Sequence, residues 1–136
     1  MSYKVEKTES EWKEELTAEE FDVLRKAGTE RPWTGILLDE HNDGVFHCKA
    51  CKAPLFKSTT KFESGSGWPS FYEPITPEAV ELKTDRSWLM TRTEVLCATC
   101  GSHLGHLFDD AYQTPTGDRF CMNSISLGFE PANVKS

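Results

Sequence analysis

With 136 residues and a mass of 15.4 kDa, the chain has the size of one domain, able to bury about 65–70% of the surface its unfolded form exposes. Apolar residues at 38% and charged ones at 27% mark a folded soluble protein, and no run of roughly 18 apolar residues is present to span a bilayer. A formal charge of −7 with no offsetting basic block excludes nonspecific attraction to nucleic acid or anionic membrane, while leaving small-molecule and peptide substrates open.

The opening segment, MSYKVEKTESEWKEEL, is too charged for the apolar core of a signal peptide, so the expected location is the cytoplasm. A short helical turn is predicted around Ser10–Glu15. Thr17-Ala-Glu-Glu20 then reads as a capping box, in which the Thr17 hydroxyl and the Glu20 carboxylate satisfy each other's backbone N–H groups. Phe21, Val23 and Leu24 supply the apolar face of the helix that follows, Arg25 and Lys26 suit its C-terminal dipole, and Gly28 stops it. From Thr29 onward the texture changes to Pro, Gly, Thr and short alternating runs. Val45–Cys48, Ala79–Lys83, Ser87–Leu96 and Arg119–Phe129 are predicted strands, separated by turn signals such as Asn42-Asp43-Gly44 and Thr116-Gly117-Asp118. The last residues, 131–136, read as a frayed tail. The expectation is a single domain over 1–136, mainly antiparallel β, with an N-terminal helical flap.

Five cysteines stand at 48, 51, 97, 100 and 121. The odd count speaks against a disulfide framework. Cys48-Lys-Ala-Cys51 and Cys97-Ala-Thr-Cys100 are two C-x-x-C turns, and together they can complete a tetrahedral S4 shell at about 2.3 Å, the closed geometry of a structural zinc site. Such a site leaves no position for water or substrate, so the metal would staple the fold and do no chemistry. The alternative, a thioredoxin-type redox pair, usually accompanies a βαβ pattern that is not evident here.

Cys121 lies in 119-RFCMNSISLGF-129. Strand alternation puts Arg119, Cys121 and Asn123 on one face and Phe120 and Met122 on the other. A thiol beside a guanidinium has reason to ionise and is a candidate nucleophile; the bland alternative is a buried structural cysteine. His103 and His106, in 101-GSHLGHLFDD-110, are candidate proton donors, with metal ligation or an ordinary surface role as alternatives. Trp68 stands in 64-SGSGWPSF-71, between Gly67 and Pro69, and reads either as a core tryptophan in a rigid turn or as a binding wall.

Taken in order, 28-GTERPWTG-35, the first C-x-x-C, 61-KFESGSGWPSF-71, the second C-x-x-C, 102-SHLGH-106 and 119-RFCMNSISL-127 resemble the methionine sulfoxide reductases of the B type, which act on the R epimer. The resemblance runs from about residue 12 to about residue 131. It implies two antiparallel β-sheets with short N-terminal helices and a structural zinc held by Cys48, Cys51, Cys97 and Cys100. It further implies Cys121 as the nucleophile, with His103, His106 and Asn123 around the sulfoxide oxygen, Arg119 biasing the sulfur toward thiolate, and Trp68 against the substrate methyl group. Oxidised proteins or peptides are the implied substrates and thioredoxin, or glutaredoxin with a small thiol, the implied reductant; a monomer is the default.

One departure from the family pattern stands out. Many members carry a cysteine at the position of Ser66, where it attacks the sulfenic acid left on the nucleophile, and serine cannot do this. Direct reduction by an external thiol is the expected route. A zinc cysteine borrowed after metal loss would be a second route, and a serine engineered to trap an intermediate would account for the departure without any route at all. Two readings compete with the enzyme: a zinc-stabilised peptide-binding module of the same fold, and a nucleic-acid zinc ribbon, which the acidic charge and the lack of a basic, aromatic stripe disfavour.

Overall fold

The computed structural model describes residues 3–26, 28–87 and 90–131. Residues 132–136 of the predicted frayed tail, and positions 88 and 89 of the predicted strand 87–96, lie outside the described residues.

Two short helices open the chain. Helix α1, Glu9–Glu15, and helix α2, Ala18–Lys26, each start at a capping box: Thr8 with Glu11, and Thr17 with Glu20, exchange hydrogen bonds of 2.8–3.2 Å. Trp12 from the first helix and Phe21, Val23 and Leu24 from the second are buried. Arg25 lies over the Trp12 ring, 4.8 Å from its centroid, and donates at 3.0 Å to the Cys100 carbonyl and to the Ser102 hydroxyl. That cation fastens the helices to the second C-x-x-C turn.

The rest is β structure. Strands β1 (Gly44–Cys48), β2 (Pro54–Lys57) and β9 (Leu127–Pro131) form one antiparallel sheet in the order β2-β1-β9; β3 (Lys61–Phe62), β4 (Ser70–Phe71), β5 (Val80–Ser87), β6 (Met90–Cys97), β7 (His103–Phe108) and β8 (Arg119–Met122) form the other in the order β3-β4-β8-β7-β6-β5. The sheets meet through aromatic rings. Phe46 and Phe56 from the smaller sheet lie against Phe71 from the larger, with Phe56 and Phe71 stacked 4.4 Å apart and Phe46 edge-on at 5.0 Å. All three are fully buried, and such ring pairs add about 0.5–1.5 kcal/mol each beyond their area.

The structure amends the predicted elements in three places. The run 119–129 is not one strand: a 3-10 turn at Ser124–Ser126 divides it, so β8 stays in the larger sheet while β9 crosses to the smaller. The segment at 79–83 starts one residue later and continues to Ser87, on the far side of a 3-10 turn at Pro77–Ala79. The histidine segment, which carries no strand signal in its Gly- and His-rich sequence, is β7, a central strand of the larger sheet. Among the described residues no helix is long and apolar enough to cross a membrane.

Candidate active site and metal centre

The two C-x-x-C turns are built alike. In the first, the Cys48 N–H donates to Ala53 O and the Lys52 N–H to Cys48 O, both at 2.8 Å; in the second, the Cys97 N–H donates to Ser102 O at 2.9 Å and the Gly101 N–H to Cys97 O at 2.7 Å. Lys52 and Gly101 hold the same place and share a left-handed backbone, φ 71° and 78°. Each turn closes one strand, β1 or β6, and aims two sulfurs inward. The four sulfurs lie within 4.8 Å of one another, with Cys48–Cys100 at 3.7 Å and Cys51–Cys97 at 3.6 Å. Thiolates at the usual metal–sulfur distance on the corners of a tetrahedron stand about 3.8 Å apart, so the cluster fits a single metal ion. Sulfur–sulfur contacts, chiefly with Cys100, push the Cys48 and Cys97 thiols up, whereas the contact with Cys48 leads in pulling Cys100 down. Without a cation the four cannot share negative charge; a divalent ion removes that conflict.

The other sulfur lives differently. Cys121 sits in β8 between two neighbouring strands, directly opposite His106 of β7 on one side and Ser70 of β4 on the other. His106 is in turn opposite Glu94 of β6. Directly opposed residues share a face, so Glu94, His106, Cys121 and Ser70 form one row across four strands. The Arg119 guanidinium, two residues back on the same face, donates to the Cys121 sulfur at 2.9 Å. Its remaining nitrogens grip the Asp110 carboxylate at 2.8 and 2.9 Å, and its plane lies 4.4 Å from the Phe108 ring centroid. The bidentate pair holds Asp110 below the usual carboxylate range and pushes Arg119 up. Arg119 is thus fixed in place with its third nitrogen left for sulfur.

A bulge in β7 adds His103 to the face of this row. Gly105 pairs with Val95 and His103 with Leu96, so Leu104 is an extra residue in β7. Three positions apart in a regular strand, His103 and His106 would face opposite ways; the bulge returns them to one side, with ring centroids 5.4 Å apart. Asn123 secures the bulge, its backbone N–H and its side-chain Nδ2 both donating to Leu104 O, at 2.9 and 3.1 Å. Its Oδ1 accepts from the Glu30 N–H at 2.9 Å. Gly105 is required by a close approach: a Cβ there would stand 2.0 Å from the Cys121 carbonyl oxygen.

A cleft of about 80 Å³ opens over Cys121, walled by Trp68, Arg92, His106, Phe108 and Asn123. A wider one of about 380 Å³ lies behind Glu30 but contains no cysteine or histidine. Trp68 is positioned from the loop: its indole N–H donates to the Glu30 carbonyl at 3.0 Å. Gly67 takes φ 91° and packs so tightly on Pro32 that an added Cβ would come within 2.7 Å, while the Trp33 N–H donates to Gly67 O at 2.7 Å. The Ser-Gly repeat before Trp68 therefore supplies left-handed turns that other residues resist.

All ten sequence-derived site residues fall into these two places, four cysteines in the first and Trp68, His103, His106, Arg119, Cys121 and Asn123 in or around the second. His106 lines the cleft, whereas His103 stands behind it, 3% exposed, with Nδ1 on the Glu94 carboxylate at 2.8 Å and Nε2 without a partner among the described residues. Asp110, Glu94 and Glu30 were not among the expected residues. Asp110 could have been suspected from its place just after the histidine segment, but Glu94 becomes visible only through strand register. Glu30 is nearly enclosed and burial raises its carboxyl above the usual range, with the Ile125 N–H donating to it at 3.0 Å.

Residues 16–131 match the SelR domain. The chain belongs to the SelR family of B-type methionine sulfoxide reductases. A peptide methionine sulfoxide reductase MsrB from Leifsonia xyli subsp. xyli is 64% identical over 129 residues, covering 95% of this chain and 93% of that one. Proteins of the same name from Methanosarcina barkeri and Thiobacillus denitrificans are 56% and 51% identical, covering 93% and 96% of this chain and 88% and 98% of theirs. The SelR fold reaches beyond the family: a crystallised Mis18 'Yippee-like' domain superposes with a TM-score of 0.54 at 18% identity, covering 68% of this chain and 99% of that domain.

Proposed function

We propose that this chain, as a single reductase domain, reduces methionine-R-sulfoxide in oxidised proteins to methionine, with Cys121 as nucleophile. The observation that carries the reading is the row Glu94–His106–Cys121–Ser70, whose two middle members line the cleft, with Arg119 donating to the sulfur. The Cys121 thiolate attacks the sulfoxide sulfur. A proton reaches the oxygen from His106, which lines the cleft; general acid help of this kind is worth about 10²–10⁴ in rate. The attack forms an S–S bond; as that bond and the substrate's S–O bond break, the oxygen passes to the cysteine sulfur, methionine leaves and Cys121 is left as a sulfenic acid. Trp68 offers the flat apolar wall for the methyl group, and the polar wall faces it, so the two epimers meet different surroundings.

Arg119 stabilises the negative sulfur, and Asp110 holds Arg119. Asn123 lines the cleft and positions the site through the Leu104 bulge. His103 backs His106 and is oriented by Glu94. Zinc is the ion that suits the four thiolates of Cys48, Cys51, Cys97 and Cys100; bound there, it ties the two sheets together and leaves no open position for chemistry.

Among the described residues no cysteine stands beside Cys121; the other four are grouped with one another. Ser66 Oγ is 3.5 Å from its sulfur, in the place where an attacking thiol would be needed. An external thiol, such as thioredoxin or a small thiol with glutaredoxin, therefore converts the sulfenic acid to a mixed disulfide and water, and a second thiol releases the disulfide and Cys121. The test is a racemic methionine sulfoxide peptide with dithiothreitol, following each epimer separately. Only the R form should be consumed, and Cys121→Ser should stop it; survival of both epimers would favour the peptide-binding reading.

A further inference from the structure

The flank of Cys121 away from His106 carries a cluster of hydroxyls that the reduction step does not use. Ser64 Oγ lies 2.8 Å from Ser66 Oγ and 2.7 Å from Ser70 Oγ. Ser70 Oγ is 3.4 Å and Ser66 Oγ 3.5 Å from the Cys121 sulfur. Ser70 is 1% exposed, while Ser64 and Ser66 are half-buried. The three hydroxyls thus lead from an enclosed sulfur out to solvent. They have several acceptors to choose among: the Trp68 carbonyl is 3.0 Å from Ser70 Oγ and 3.5 Å from Ser66 Oγ, and each hydroxyl also faces another. A hydroxyl both donates and accepts, so the cluster can pass a proton by turning its O–H bonds without moving its backbone.

We propose that Ser64, Ser66 and Ser70 form a proton relay that serves the regeneration of Cys121. This rests on the reductase reading above and concerns its second half. An external thiolate enters by the cleft, which is the open side of the sulfur, and attacks Sγ. The new S–S bond forms as the S–O bond breaks, and the electron pair leaves with the oxygen. Displacement at sulfur proceeds in line, so the oxygen departs once rotation about the Cβ–Sγ bond has turned it from the His106 side to the other flank, where the serine hydroxyls lie. Ser66 or Ser70 gives it the proton that makes water, recovers one from Ser64, and Ser64 recovers one from solvent. The sulfenic sulfur is reduced to a mixed disulfide; a second thiol then takes up the first, and Cys121 returns as the thiolate beside Arg119. His106 and the serines divide the work by geometry, the imidazole acting on the oxygen of the arriving substrate and the hydroxyls on the oxygen of the departing one.

The experiment separates the two half-reactions on the full metal-loaded chain. A peptide carrying methionine-R-sulfoxide is mixed with enzyme in the absence of reductant, giving the rate of the first turnover. Dithiothreitol is then added and the loss of dimedone-reactive sulfenic acid is timed. Ser64→Ala is expected to slow recycling about tenfold relative to the first turnover, Ser70→Ala to act in the same direction, and Ser64→Thr, which keeps a hydroxyl, to restore the ratio. Equal slowing of both steps, an unchanged ratio, or failure of Thr to rescue overturns the relay. Absence of any first turnover in the unaltered chain overturns the reductase reading, and the relay with it.

Discussion

The five cysteines occupy two surroundings that share one element and little else. Cys48, Cys51, Cys97 and Cys100 face one another across matching turns, with three of them almost wholly enclosed. Cys121 faces a guanidinium, two hydroxyls and, across the strand, an imidazole. In the first place sulfur is crowded by sulfur, and a cation settles their charge; in the second a fixed guanidinium donates to the sulfur, which lines a cleft. The difference lies in which donors point at the atom, since both kinds are buried. A reactive thiol is made by its neighbours more than by exposure.

Substitutions can break this contrast from either side. Cys121→Ser should lower R-epimer reduction by about 10³-fold or more while leaving metal content and urea unfolding unchanged. Cys97→Ser should do the reverse, releasing metal and lowering stability by about 3 kcal/mol or more, read by elemental analysis and urea titration. An intact fold with no bound metal would end the distinction.

Around Cys121, effects should fall with distance from the sulfur. His106→Gln is expected to reduce kcat by about 10²-fold, and Glu94→Gln, which acts only through His103, by about tenfold. Asp110→Asn should also cost about tenfold by loosening Arg119, with a matching drop in alkylation of Cys121 by iodoacetamide. If Glu94→Gln cost as much as His106→Gln, Glu94 would have to meet the substrate itself.

The carboxyl of Glu30 gives the comparison a pH axis. Its folded-state pKa is raised by burial, so the native state holds the proton more tightly than the unfolded chain does. Its contribution to stability is fully present below the unfolded carboxyl's pKa and is lost as pH rises through the raised value. Glu30→Gln should flatten that decline in urea titrations across pH 4–8. The smallest effect concerns the paired turns. Lys52 adopts the left-handed backbone that Gly101 takes in the other turn, and Lys52→Gly should raise stability by about 0.5 kcal/mol, since the relief of strain exceeds the added chain entropy.

Much of this is legible in the sequence because the signals are local. Capping boxes at Thr8 and Thr17, of which the second is plain in Thr17-Ala-Glu-Glu20, depend on residues three apart. The paired C-x-x-C turns declare their ligands by spacing, and alternation alone places Arg119 beside Cys121, where the 2.9 Å contact is found. What stays hidden depends on register. Strand β7 has a bulge that spoils its alternation, so its histidines resemble a loop. Glu94 and Ser70 stand at the ends of the row through Cys121 only because β6 and β4 pair where they do. The 3-10 turn at Ser124–Ser126 interrupts a run whose composition favours strand throughout, and it lets consecutive segments serve different sheets.

Because Leu104 is one residue more than the partner strand can match, odd and even numbering trade places across it. Position 103 and position 106 face the same way only while two residues separate them and one of those goes uncounted by the neighbour. Loss or gain of a single residue there would swing one imidazole through to the aromatic interior, whatever its identity. For this short stretch, chain length is a stricter inheritance than spelling.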